Sequence, residues 1–191
     1  MPYDLVWPTY EAAEIHSMSL EYLTWPHMEL FFEEEADLFR WIHLAGSMTF
    51  LPYGVLGDHF QHEVYENPAC GAAARHDMWN KLERHYMPSL DWGDLDYPAK
   101  GGRWQLQTHF YRMPFYYIDY TLALTCALQM WLLSRGDTAG TFKRYHTLCG
   151  LGGSRPFQEL VASAELTSPF AEGCLTDVVS EVRSVLFPSA S

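Results

Sequence analysis

The chain has 191 residues and a formal net charge of −12, with 48% apolar and 19% charged residues. That is enough for one domain with a sizeable core, and it excludes a disordered or low-complexity chain. Only 12 basic residues are present and they are scattered, so no cationic surface for nucleic acid is expected; no apolar run is long enough to span a membrane.

The predicted elements are helices. Thr9 reads as an N-cap, with Glu11 in the first turn, for a helix running to about Thr24. Pro26 suits the first turn of a following segment. Leu38, Trp41, Ile42 and Ala45 recur at helical spacing, and Pro52 is expected to stop that helix. Residues 54–66 and 71–86 form two more, separated at Asn67-Pro68. Residues 87–102, with Pro, Gly and Asp throughout, read as one long loop. An apolar helix follows Pro114 and runs to about Ser134. Asp137 caps the next, which ends near Gly150 to Gly153. Ser154 begins a short helix, and the last covers about Leu175 to Leu186. No repeat and no strand pair is apparent, so the expected fold class is all-α, a single helical domain over residues 1–191.

Cys70, Cys126, Cys149 and Cys174 are far apart and form no CxxC pair. They read as buried free thiols in a reducing compartment. The first residues, Met-Pro-Tyr-Asp-Leu-Val-Trp-Pro, lack the basic start and apolar run of a signal peptide. A cytoplasmic protein with no membrane association is the expectation.

Three groups of residues could carry chemistry. Glu11, Glu14 and Glu21 share the first helix, either as a solvated acidic face or with one carboxylate acting as a metal ligand supported by a neighbour. His59, His62, Glu63 and Glu66 lie at i, i+3, i+4 and i+7 on one helical face, either solvated or binding a metal, although the pattern is not HExxH. The stretch His109 to Tyr120 joins an imidazole with Tyr116, Tyr117 and Tyr120. Such rings pack a core or groove, or donate hydrogen bonds to a developing oxyanion. No Gly-x-Ser-x-Gly elbow is present, and Gly152-Gly153-Ser154 has neither the strand nor the lysine of a phosphate loop.

The segments Trp-Pro-Thr-Tyr-Glu-Ala-Ala-Glu-Ile-His-Ser-Met-Ser-Leu-Glu (7–21), Phe-Gln-His-Glu-Val-Tyr-Glu-Asn-Pro (60–68) and Pro-Phe-Tyr-Tyr-Ile-Asp-Tyr (114–120) resemble the oligoendopeptidase F group. These are M3 zinc metallopeptidases, relatives of thimet oligopeptidase. Leu148-Cys149-Gly150, Gly152-Gly153-Ser154 and Ser168-Pro169-Phe170 agree as well. The resemblance implies a multi-helical fold and hydrolysis of short peptides by zinc-activated water. It assigns Glu14, ahead of Ile15, His16 and Ser17, as the third zinc ligand. It assigns His109, Tyr117 and Tyr120 to the peptide carbonyl and tetrahedral intermediate, with Tyr116 at the substrate.

The chain departs from the family in having no HExxH, which in the family lies shortly before the stretch matching Met1. The expectation is a C-terminal portion of the catalytic domain, without the HExxH helix and N-terminal lobe. It would hold zinc poorly and be inactive alone, since a catalytic zinc takes three protein ligands and a general base works beside it. A complementing chain bearing HExxH, or self-association, is the implied partner. The alternative is a non-catalytic helical interaction module, with Trp25, Phe31 and Phe32 as one source of exposed apolar surface.

Overall fold

The computed structural model describes residues 5–188, and among them it contains helices and turns but no strand. Ten helices follow in order: α1 (Tyr10–Leu23), α2 (Glu29–Phe32), α3 (Ala36–Glu66), α4 (Ala72–Tyr86), α5 (Asp96–Ala99), α6 (Thr108–Arg112), α7 (Tyr117–Ser134), α8 (Thr138–Leu151), α9 (Phe157–Ser163) and α10 (Cys174–Leu186). None is long and apolar enough to cross a membrane. The four cysteines are free thiols. Two compact units form: one from the residues up to Met48 together with those from Leu122 onward, the other from Thr49–Thr121.

In the first unit, α1 buries Ala12, Ile15, Ser19 and Tyr22, a spacing that keeps one face inward. Ala12 and Ile15 join Ala123, Cys126 and Met130 of α7, Leu148 of α8, and Leu160 and Val161 of α9 in one core. Thr9 is extended at the start of α1, but its side chain makes no cap bond. Asp137 does cap α8: its Oδ1 accepts from the Gly140 N–H at 2.8 Å. Gly152 ends α8 with φ +50°, and the Gly153 N–H donates to the Leu5 carbonyl at 2.8 Å. A Cβ on Gly153 would lie 2.3 Å from the Trp7 carbonyl oxygen, so the Gly-Gly pair makes room for the N-terminal segment. Helix α9 begins at Phe157, three residues later than Ser154, because Pro156 is extended and sits ahead of the first turn.

Trp25 corrects the expectation of exposure: only 8% of it is accessible. Its ring centroid lies 5.1 Å from Tyr22 and 5.3 Å from Trp131, and its indole N–H donates to His43 Nδ1 at 3.0 Å. An indole N–H only donates, so Nδ1 is the bare nitrogen and Nε2–H faces Glu21 Oε2 at 3.0 Å. Phe31 and Phe32 are exposed, as expected.

In the second unit, Pro52 does not stop the helix; α3 runs through it to Glu66. An interior proline removes the N–H that would reach the Met48 carbonyl and costs about 3 kcal/mol. Leu51 and Tyr53 on either side of it, then Leu56 and Phe60, are buried. Burial of each such side chain contributes about 1.5–3 kcal/mol, which offsets the cost. Tyr53, Leu56 and Phe60 pack with Trp79, Leu82, Trp104, Phe110 and Tyr117.

The stretch read as one loop is more ordered than expected. It holds α5 and leads at Gly102 into a 3-10 turn, Gly102–Leu106, that buries Trp104. Buried Glu83 anchors it: its carboxylate accepts from Trp79 Nε1 (3.2 Å) and Trp92 Nε1 (2.8 Å) and pairs with Arg103 (3.2 Å). A buried carboxylate needs such a complement of donors.

Candidate active site

His109 lies on α6, Tyr117 and Tyr120 on the first turn of α7, and Tyr116 directly before it. The chain reverses between the two helices at Phe115, which has φ +63°. A non-glycine residue there is uncommon and must be held by its surroundings. Gln61 holds it: its Oε1 accepts the Phe115 N–H at 2.8 Å, while its Nε2 donates to the Gly57 carbonyl at 3.3 Å. Gly57 also lets rings approach α3, since a Cβ there would meet Phe110 Cζ at 2.9 Å and Tyr117 Cδ1 at 3.3 Å.

The reversal gathers four rings. The His109 centroid lies 5.9 Å from Tyr116, 5.4 Å from Tyr117 and 5.7 Å from Tyr120. Tyr120 lies 4.8 Å from Tyr116 and 5.6 Å from Tyr117. The Tyr120 hydroxyl stands 3.5 Å from His109 Nε2, at the long limit of a hydrogen bond. His109 Nδ1 is buried and has no partner among the described residues. All four site residues expected from this stretch are therefore brought together.

Their burial differs. His109, Tyr116 and Tyr120 are half-buried, whereas Tyr117 is 7% accessible. Burial pushes the Tyr117 phenol above the usual tyrosine range, with Tyr53 and Tyr120 adding to the effect and Arg103 opposing it. Arg103 itself stacks 4.3 Å above the Tyr53 ring. Chemically, the cluster offers hydroxyl and imidazole donors at the edge of an apolar core, a setting that strengthens hydrogen bonds to an oxygen gaining charge. Sequence spacing pointed to the rings but not to Gln61 or Gly57. The Gly54-x-x-Gly57 spacing on a helix is the signal that could have found the close approach.

Glu14 lies in the first unit on α1, half-buried. Ser17 Oγ lies 3.2 Å from both the Glu14 Oε2 and the Glu14 carbonyl, to which it can donate. A hydroxyl three residues on thus orients the carboxylate, which is the support a metal-ligating glutamate uses. Glu21 faces His43 instead.

The His59 face is occupied by local partners. His59 Nδ1 meets the Tyr86 hydroxyl at 2.9 Å and Nε2 lies 3.5 Å from Glu63; His62 lies 3.5 Å from Asp58. Among the described residues no group of three or more His, Cys, Asp or Glu is placed to hold a metal ion. Glu14 is a single carboxylate, so this donor set does not by itself fit a catalytic zinc.

The profile of peptidase family M3 matches residues 2–179. The chain belongs to peptidase family M3. Among solved structures, this M3 chain is 54% identical to a protein assigned as oligoendopeptidase F, known from a 3.1 Å X-ray structure, with TM-score 0.93; the match covers 95% of this chain and 32% of that one. It is 52% identical to PZ peptidase A with an inhibitor, with TM-score 0.92, covering 94% and 32%. It is 47% identical to a protein assigned as oligoendopeptidase F from Bacillus anthracis str. Ames, with TM-score 0.80, covering 94% and 29%. No match is found among curated proteins. The M3 chain thus spans about a third of the length of these solved relatives, and its helices correspond to the helical part of their fold.

Proposed function

We propose that this chain supplies the carbonyl-polarising part of an M3 zinc endopeptidase that cleaves short peptides. The observation that carries the reading is the four-ring cluster, in which the Tyr120 hydroxyl and His109 Nε2 stand 3.5 Å apart. Half-exposed Tyr120 and His109 donate to the scissile carbonyl as its oxygen gains charge, and Tyr116 contacts the substrate. Tyr117, expected as a further donor, is buried; in this proposal it acts on the reaction by holding the Tyr120 ring in place. Glu14, oriented by Ser17, contributes one carboxylate to a zinc whose other ligands and whose general base lie on another segment or another chain. The 191 residues alone are then inactive.

The test uses a quenched oligopeptide. The chain alone is expected to show no chelator-sensitive rate. In a polypeptide that also carries HExxH, Tyr120→Phe is expected to lower kcat by roughly 10²–10³, the usual cost of losing one oxyanion donor. A Tyr120→Phe enzyme within twofold of its parent, or a chelator-sensitive rate from the chain alone, overturns the reading.

One observation favours a second reading, a helical interaction module. Leu30 and Phe31 are 79% and 72% exposed, and Leu38, Trp41 and Ile42 on α3 are each at least half exposed. Exposed apolar residues in this number mark an interaction surface. Light scattering over a concentration series separates the cases: growth in mass, reversed by Phe31→Ser with Trp41→Ser, supports self-association. A monomer throughout counts against it.

A further inference from the structure

Helix α6 carries His109 into the ring cluster, but its Phe110 and Tyr111 line a separate cavity of about 270 Å³ in the same unit. Phe60 and Val64 of α3 form another wall, and Gln61, Tyr65, Arg75, Trp104 and Tyr111 bring polar groups to the lining. Tyr111 stacks on Trp104 with centroids 6.0 Å apart and planes 27° from parallel. Both polar ends of Gln61 are already engaged, with Phe115 and Gly57. Arg75 Nε and Trp104 Nε1 are buried and have no partner among the described residues. Both groups can only donate.

A buried donor without an acceptor costs about 1–3 kcal/mol, so native interiors keep few of them. Arg75 forms no ion pair among the described residues, and no carboxylate lines the cavity. The lining of the cavity therefore holds one positive charge, Arg75, and no negative one. Its walls are mostly ring and branched aliphatic surface, and its volume lies just below the range of typical ligand pockets, which suits a single ring. The overall charge of −12 opposes anions at long range. That repulsion is screened beyond about 8 Å at physiological ionic strength, whereas Arg75 acts at contact.

We infer that this cavity binds a small aromatic carboxylate, its carboxylate on Arg75 and Trp104 and its ring among Phe60, Val64, Phe110 and Tyr111. The inference does not rest on the peptidase reading. The same chemistry is offered by a free aromatic acid and by the C-terminal residue of a peptide. The experiment follows the Trp104 indole N–H resonance of the 191-residue chain during titration with phenylacetate, N-acetylphenylalanine and the neutral phenylacetamide.

The expected result is a saturable shift with at least one of the acids, at least tenfold weaker binding of phenylacetamide, and at least tenfold weaker acid binding by Arg75→Gln. Arg75→Lys, which keeps the charge, should stay closer to the parent than Arg75→Gln does. A response to N-acetylphenylalanine alone identifies a peptide end as the occupant; a response to phenylacetate identifies a free acid. No saturable shift from either acid by about 10 mM, or equal binding of acid and amide, overturns the inference. Should Arg75→Gln fail to fold, the comparison of acid with amide on the parent chain still decides it.

Discussion

Gln61 shows how much a single side chain can hold. It is buried near the C-terminal end of α3 and accepts a hydrogen bond from Phe115, 54 residues away, at the reversal that joins His109 to the tyrosines. Gln61→Leu keeps the volume and removes the acceptor, leaving a buried N–H beside a backbone with positive φ. The expected loss is about 1–3 kcal/mol in urea denaturation, with the ring cluster loosened. An unchanged midpoint would mean that another group satisfies Phe115. The ring cluster itself was legible in the sequence, because His109, Tyr116, Tyr117 and Tyr120 lie within twelve residues, although the reversal at Phe115 rather than one continuous helix gathers them. Gln61 was not legible, since a hydrogen bond across 54 residues leaves no local pattern. Nor did spacing separate Tyr116 from Tyr117; burial does, with Tyr117 in the core and Tyr116 at its edge.

At the scale of elements, α3 carries two glycines whose substitution should have opposite effects. A Cβ on Gly54 would stand 1.9 Å from Thr121 Oγ1 and 3.3 Å from Thr121 Cβ, both in the first turns of α7. Rotating the threonine relieves the first contact but not the second. Gly54→Ala is expected to destabilise by about 1–3 kcal/mol. Gly46 faces open space, with nothing within 4 Å of a new Cβ. Gly46→Ala is expected to stabilise by roughly 0.5–1 kcal/mol, the ordinary helix preference of alanine over glycine. Thermal melts of the two variants give the check, and equal effects would argue against the close approach of α3 and α7 within the second unit. Pro52 belongs to this scale too. Local rules end a helix at proline, but burial on both sides of it carries α3 onward.

Across the whole molecule, tyrosines shape the response to pH. Burial, helped by Cys149, pushes the Tyr145 phenol up to about 12, and burial raises Tyr22, Tyr53 and Tyr117 as well. A folded-state value above the unfolded value near 10 means that the unfolded chain loses its protons first. The stabilisation from these groups is therefore complete below pH 10 and is lost as pH rises toward 12. Melting temperature is expected to fall steeply over that window, and less steeply in Tyr145→Phe, whose parent hydroxyl donates to the His16 carbonyl at 3.0 Å. An unaltered slope in the variant would remove Tyr145 from the account. The acidic surplus of the chain adds to alkaline destabilisation but does not depend on Tyr145.

The amino-acid sequence by itself determined the helical class, most helix bounds, the Asp137 cap, and the family, through ordered segments that local chemistry and resemblance make readable. It also placed Glu14 three residues before the serine that orients it, because a helical turn is a local object. Only the tertiary structure decided what covers each face. Trp25 turned inward onto Tyr22, Trp131 and His43, while the periodic stripe of Leu38, Trp41 and Ile42 turned to solvent. The reason is physical: periodicity says that a helix has an apolar face, but burial depends on which distant element packs against it. The unpaired donors of Arg75 and Trp104 are of the same kind, visible only once α3, α4 and the turn at Trp104 enclose a common space.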